Sequence, residues 1–354
     1  MGSSSPEAPK ALNHFLAQTL PLHARIKNFV CLWGFKVVVK VLFTLQLVFR
    51  PLPPSQRPTL LKTYPVRPAL TNRVFIPRSH PPNQLFPLYL DIHGGGFAIG
   101  DPSIDDEFCS HFANKYNILV ISLNYSKSPR AKFPVAPDDI ISIVQAVLSD
   151  KSIPIDTTRV VIGGFSAGGN LSLSAAQAPE LQGRIHGVVP WYPVTEWIST
   201  TAEKMKTRPC GEGNDIDILK YTGSIFKWGY IAPGQDLQDP RLSVSFAKRE
   251  ALPKWLYFVA AEYDMLCCEA KEMIMDLAEL ADKDREEGTY SFEKGTYKWT
   301  MARDVLHGYT HGPGPTATGE SVRIKRREET FAEVAEWLFK GPFSKTTPET
   351  IYLR

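Results

Sequence analysis

Residues 160–169 constrain the fold more than any other stretch of this chain. Val160-Val161-Ile162-Gly163 is a β-branched run ending in glycine, and Asn170-Leu171-Ser172-Leu173 continues as an apolar helical pattern. Between them stands Gly164-Phe165-Ser166-Ala167-Gly168. A serine on so short a strand-to-helix turn takes a strained backbone position that exposes its hydroxyl at the strand end. Small residues two before and two after it let strand and helix approach, and Gly164 and Gly168 fill those places. The five-residue pattern alone arises by chance about 0.1 times in a chain of this size. The strand before it and the helix after it are what mark it as a nucleophile elbow.

Such a turn belongs to an α/β architecture, and the rest of the chain supplies one. Strand candidates at 72–76, 88–92, 118–123, 160–163, 186–189, 256–260 and 297–301 alternate with helix candidates at 105–115, 138–149, 167–178, 267–281 and 321–339. That alternation predicts a mostly parallel sheet covered by helices. Several of the strands are too apolar to leave one face in water. In 138–149 the apolar residues Ile140, Ile141, Ile143, Val144 and Val147 recur at helical spacing, with Pro137 placed to start the helix. The 354 residues suffice for one large domain. One stretch, about 195–238, breaks the alternation: it has helix-like patterns, no convincing strand, and Trp197, Tyr221, Phe226, Trp228 and Tyr230. It reads as an insertion above the strand ends, where it would wall a pocket. A peripheral excursion is the plainer alternative.

His93-Gly94-Gly95-Gly96-Phe97 follows directly on the strand candidate 88–92, a tetrad expected by chance with a probability of about 0.003. Successive glycines let backbone N–H groups turn toward the negative oxygen of a tetrahedral intermediate, and losing one such donor costs about 2.7 to 4 kcal/mol. Ala167, next to the nucleophile, would supply a further N–H. A glycine run after a strand can also cradle phosphate, but neither Gly-x-Gly-x-x-Gly nor Gly-x-x-x-x-Gly-Lys spacing is present. His93 lies on the oxyanion side and reads as a pin for the glycine loop.

With the nucleophile at 166, this architecture requires an acid and then a histidine further along, at strand ends. Asp264 follows 256–260 in Ala260-Ala261-Glu262-Tyr263-Asp264, with Glu262 as the alternative acid. His307 follows 297–301 and precedes Gly308, with His311 as the alternative base. No Cys or His cluster has metal-ligand spacing, so neither a metal nor an organic cofactor is expected.

Charge and cysteine content narrow the partners. A net charge of +3, with basic residues scattered apart from Lys325, Arg326 and Arg327, argues against nucleic acid. Five cysteines, two of them the adjacent Cys267 and Cys268, make no disulfide framework and suit a reducing compartment. The polar start, Met1 to Lys10, precedes an apolar run at 29–49 that lies too far along for an ordinary cleavable signal. Lys36 and Lys40 sit inside that run and share a helical face. It reads as a helix packed over the pocket, an interfacial helix, or a membrane span. The expected location is intracellular, in the cytoplasm or at a cytoplasmic or endoplasmic-reticulum membrane.

Taken together, Asp91-Ile92-His93-Gly94-Gly95-Gly96-Phe97, Leu123-Asn124-Tyr125 leading to Phe133-Pro134 and Asp138-Asp139, Gly164 to Asn170, Asp264 and His307-Gly308-Tyr309 resemble the hormone-sensitive-lipase family of α/β hydrolases. That family includes microbial and fungal carboxylesterases and the arylacetamide deacetylases. The resemblance spans most of 85–340 and implies an α/β-hydrolase fold with a helical cap. It implies a catalytic domain at 59–354 with a cap insertion at about 195–238, and residues 1–58 as an N-terminal cap or membrane-associated helix. It assigns Ser166, Asp264 and His307 to a triad, and Gly95, Gly96 and Ala167 to the oxyanion hole, with Gly94 a further candidate. The substrate it implies is a small-molecule ester, largely apolar or of short to medium acyl length. Amide deacylation or acyl transfer on the same parts, and an inactive small-molecule receptor, stay open, as does the oligomeric state.

Overall fold

The computed structural model describes residues 15–344 apart from 50, 79–80, 82, 210–215, 288 and 313–315; Met1 to Lys10, Cys210 and part of the 195–238 insertion lie outside the described residues. Its strands are β1 (Leu60–Tyr64), β2 (Arg67–Phe75), β3 (Phe86–Ile92), β4 (Leu119–Leu123), β5 (Ile155–Phe165), β6 (Gly187–Trp191), β7 (Trp255–Ala261), β8 (Ser291–Lys294) and β9 (Tyr297–Ala302). Its helices are α1 (Leu22–Phe49), α2 (Asp106–Tyr116), α3 (Val135–Ser149), α4 (Ala167–Ala176), α5 (Thr201–Thr207), α6 (Leu219–Tyr230), α7 (Cys267–Leu277), α8 (Asp282–Glu287) and α9 (Ala317–Lys340). The strands form one sheet in the order β1-β2-β4-β3-β5-β6-β7-β9-β8. From β4 to β9 neighbouring strands run parallel, while β1, β2 and β8 pair antiparallel at the two edges.

Every residue of β3, β4 and β6 is buried, because helices cover both faces of a parallel sheet. Leu88, Leu90 and Ile92 of β3 point into a core shared with Ile140 and Val144 of α3, Leu171 of α4 and Ile274 of α7. Tyr89 points the other way, toward Phe108 and Phe112 of α2 and Phe331 and Trp337 of α9. The helix expected to start at Pro137 begins two residues earlier, at Val135, with Pro134 as its flanking residue. Pro137 still falls in the first turn, where a missing N–H leaves no hydrogen bond unmade. The helices read as 167–178 and 267–281 end earlier, at Ala176 and Leu277. Two strands escape sequence patterning, β1 and β8. Both are edge strands, and β8 lies in a charged stretch whose Glu293 and Lys294 are exposed, as suits a strand with one unpaired side.

Helices α1, α5 and α6 lie apart from the sheet layers. Within the insertion, α5 starts with a capping box between Thr200 and Glu203, and Phe226 of α6 clusters with Leu32 and Phe35 of α1 and with Ala98 from the loop after β3. Before α1 the chain is tied to the end of the insertion by Ala17 N–H to Gln235 O and Leu237 N–H to Phe15 O, each 2.8 Å. Lys36 of α1 donates to Ser128 O at 2.7 Å, whereas Lys40, one turn on, is exposed. Beyond the exposed His23, Arg25 and Lys27 of its first turns, most of the described surface of this 28-residue helix is apolar and open, with Leu22 68% and Phe49 78% exposed.

The Lys325, Arg326 and Arg327 cluster lies on α9 and is engaged locally: Arg326 pairs with Glu329 at 3.1 Å and Arg327 with Glu107 at 2.8 Å. Cys31, Cys109, Cys267 and Cys268 are free thiols.

Candidate active site

From β3 the chain builds β4 on one side and then β5 on the other. Strand order therefore reverses at β3, and the crevice outside its carboxyl end is where ligands bind in such sheets. Ile92 stands in register with Gly164, so the glycine loop after β3 and the elbow after β5 leave the sheet side by side. Ser166 has φ 55° and ψ −113°, a conformation that side chains rarely adopt. Its N–H donates to Trp191 O at 2.8 Å. The two elbow glycines are fixed by contact with β3: a Cβ on Gly164 would lie 2.5 Å, and one on Gly168 1.9 Å, from Ile92 O.

The turn brings Ser166 Oγ to 2.9 Å from His307 Nε2, and His307 Nδ1 lies 2.7 Å from Asp264 Oδ2. Asp264 is fully buried, and its other oxygen accepts the Leu266 N–H at 2.9 Å. Because the carboxylate can only accept, the imidazole proton sits on Nδ1, which leaves Nε2 free to accept from the serine hydroxyl. Burial disfavours the charged imidazole, yet the adjacent Asp264 charge and its hydrogen bond outweigh that, holding the His307 pKa above the usual histidine range.

The alternative residues fall elsewhere. His311 Nε2 lies 3.0 Å from Asp105 Oδ1 and its ring packs edge-on to Phe165. Burial pushes the His311 pKa down to about 4. Glu262 accepts the Asp304 N–H at 2.8 Å and so braces the loop before His307.

Gly95 and Gly96 have φ 107° and 56°, as a loop folding its amides inward requires. A side chain has no room there: a Cβ on Gly95 would meet Ile99 O at 2.3 Å, and one on Gly96 the Phe226 ring at 2.4 Å. Gly94 lies against the elbow, its Cβ position 3.5 Å from Ser166 Cβ. His93 donates from Nδ1 to Gly94 O at 2.7 Å and stacks on Tyr125 at 4.5 Å. Burial, with Lys127 nearby, keeps its pKa well below the usual value, so it acts as a neutral pin. Tyr125 completes the brace by donating toward His93 O and Gly94 O at 3.2 and 3.3 Å. Ala167 is the first residue of α4, a position whose N–H has no intrahelical acceptor.

Two cavities of about 210 and 200 Å³ flank the serine, sharing Gly96, Ser166, Leu219 and Phe226 as walls. The first runs past Ala167, Val194, Trp197 and Met265; the second runs past Phe35, Ile99, Tyr192, His307 and His311. Lys204 borders the first, but its charge is matched by Glu196 at 2.9 Å and by Glu269. Among the described residues there is no cluster of His, Cys, Asp and Glu suited to a metal ion. The arrangement can deprotonate Ser166 as it adds to a carbonyl carbon and can hold the resulting oxyanion with backbone amides. Sequence reasoning missed the Tyr125 brace and a further buried carboxylate, Asp217, beside the turn that carries Asp264. For Asp217 the only local signal is its place just before α6.

Residues 89–292, more than half of the chain, match the model of a family described as the alpha/beta hydrolase fold. Esterase LipI of Mycobacterium tuberculosis is 28% identical over 55% of this chain and 60% of its own length. The versiconal hemiacetal acetate esterase stcI of Emericella nidulans is 30% identical over 44% of this chain and 55% of its own. The chain thus spans little more than half the length of these curated relatives. Among solved structures, the esterase of Pyrobaculum calidifontis in its monoclinic form superposes with a TM-score of 0.67 at 21% identity, covering 91% of this chain and 99% of that one. At that identity it speaks for the fold alone. With elbow, glycine loop and sheet order in place, the family match is decisive, and the chain belongs to the alpha/beta hydrolase fold family.

Proposed function

We propose that this chain is a serine carboxylesterase acting on small, largely apolar esters. The observation that carries the reading is the relay from Ser166 through His307 to Asp264 beside the Gly94-Gly95-Gly96 loop. The relatives named above are esterases, which agrees with it. As Ser166 Oγ attacks the ester carbonyl, His307 Nε2 takes its proton and Asp264 stabilises the imidazolium formed. The amides of Gly95, Gly96 and Ala167, with Gly94 as a further donor, hold the tetrahedral oxyanion. His307 returns the proton to the leaving alkoxide, and the same cycle with water frees the acid. Since His307 must be neutral to act as base, kcat/KM falls as pH drops through its raised pKa.

The leaving group must sit beside the proton it receives. The cavity walled by His307, Tyr192 and Phe35 therefore takes the alcohol, and the one walled by Ala167, Val194 and Trp197 takes the acyl chain. Residues 195–238 act as a cap together with the N-terminal segment through 58, over a catalytic domain at 59–354. The test is hydrolysis of a p-nitrophenyl series from acetyl to decanoyl beside a matched amide. Turnover of short to medium esters with the amide far slower is expected; turnover of the amide alone would overturn the reading.

The open face of α1 supports a second proposal, docking to a membrane surface. Leu32 and Phe35 hold one side of the helix to the body, so it lies along the bilayer instead of crossing it. Val38, Leu42 and Leu45 are exposed at one-turn spacing. Replacing all three by Glu should lower partitioning into anionic liposomes by about 100-fold or more, since each buried aliphatic side chain is worth about 1.5 to 3 kcal/mol. Equal flotation of both proteins would remove the idea.

A further inference from the structure

One buried charge next to the relay is unused by the steps above, and it comes from the insertion. Asp217 is only 3% exposed. Its Oδ1 accepts the Leu219 N–H at the start of α6 and its Oδ2 accepts the Met265 N–H, each at 2.8 Å. Met265 follows Asp264 directly, and the next amide in that turn, Leu266 N–H, is taken by Asp264 Oδ1 at 2.9 Å. Consecutive amides of the acid turn are thus capped by two carboxylates, one its own and one from 48 residues earlier in the chain. Without Asp217 the Met265 amide would be left buried and unpaired, a cost comparable to a lost hydrogen bond.

The groups facing His307 are few. Asp264 holds it from the turn after β7, Ser166 meets it from the elbow, the Tyr192 ring packs edge-on at 5.0 Å from the end of β6, and Asp217, from the insertion, is bonded to the amide next to Asp264. Of these, Asp264 and Asp217 carry the negative charge. We propose that Asp217 is a positioning residue: it ties the cap insertion to the turn that carries Asp264 and places a second negative charge beside His307. Burial raises the Asp217 pKa and the Asp264 charge raises it further, while His307 and the two amide bonds act against both.

This inference rests on the esterase reading only for the role of His307 as base, and its test needs no turnover. In full-length Asp217→Asn, the amide oxygen can still accept the Met265 N–H but the charge is gone. The His307 titration, read from its low-field imidazole proton by NMR, is expected to move down by about 0.5 to 1 unit. The acid limb of kcat/KM should move with it, and Asp217→Glu should restore most of the shift. A folded Asp217→Asn whose His307 titrates within about 0.2 unit of wild type overturns the proposal, whatever its rate. Should that variant not fold, Asp217→Ser carries the same comparison. Hydrogen exchange in the wild-type protein gives a further reading: the Met265 amide should be as protected as Leu266, and rapid exchange would count against the tie. Absence of ester hydrolysis would sink the functional reading and leave the titration result standing.

Discussion

Ser166→Ala will hydrolyse p-nitrophenyl esters about 10^4 to 10^6-fold more slowly than the wild-type protein while keeping its fold. The substitution deletes one oxygen, the atom 2.9 Å from His307 Nε2, and leaves the backbone bond from Ser166 N–H to Trp191 O in place. His307→Ala is expected to cost as much, because neither member of a relay works without the other. For the same reason the double variant should be no slower than either single one by more than about tenfold. His311→Ala is the informative control. It lies a few residues from His307 and lines the same cavity, but its Nε2 faces Asp105, so activity should stay within about tenfold of wild type. Steady-state rates decide, with labelling by a fluorophosphonate to count competent serines. Loss on His311→Ala with retention on His307→Ala would exchange the two histidines. An active Ser166→Ala would end the serine-hydrolase reading.

How much of the site the sequence alone reveals follows from how local each constraint is. Gly164, Gly168, Gly95 and Gly96 are legible because a Cβ at each would lie within 2.6 Å of another atom, and only glycine answers that demand. Asp264 and His307, the proposed acid and base, can be picked out because those roles call for strand ends, and β7 and β9 are apolar enough to find. Asp217 is not legible. Its partner amide lies 48 residues away, and nothing in the residues around 217 records how the insertion folds onto the acid turn. The same holds for α1: its apolar residues are plain in the sequence, but that Leu32 is buried while Leu42 stays open depends on where α6 sits. Edge strands β1 and β8 were hidden for a different reason. A strand with one free side needs no continuous apolar run.

Gly168→Ala should lose about 3 kcal/mol of stability or more, enough to lower soluble yield, and should cost activity in whatever protein still folds. Position 168 lies inside the first turn of α4, where Ala would ordinarily be favoured over Gly by about 1 kcal/mol. Against that stands a Cβ at 1.9 Å from Ile92 O, 2.6 Å from Ile92 C and 2.8 Å from His93 O. These are backbone atoms of a strand held in register by β4 on one side and β5 on the other, so no side-chain rotation relieves the contact. Either α4 lifts, and carries the Ala167 amide with it, or β3 shifts, and carries Gly94 to Gly96. Both routes separate the two halves of the amide cluster beside Ser166, so stability and turnover should fall together. Gly308→Ala separates this from ordinary glycine strain: Gly308 has φ 75° but open space around a Cβ, and its cost should be only about 1 to 2 kcal/mol. Urea midpoints of the two variants give the comparison. If Gly168→Ala were as stable as wild type, helix and strand would have to cross farther apart than the elbow geometry requires, and the exposure of Ser166 would need another cause.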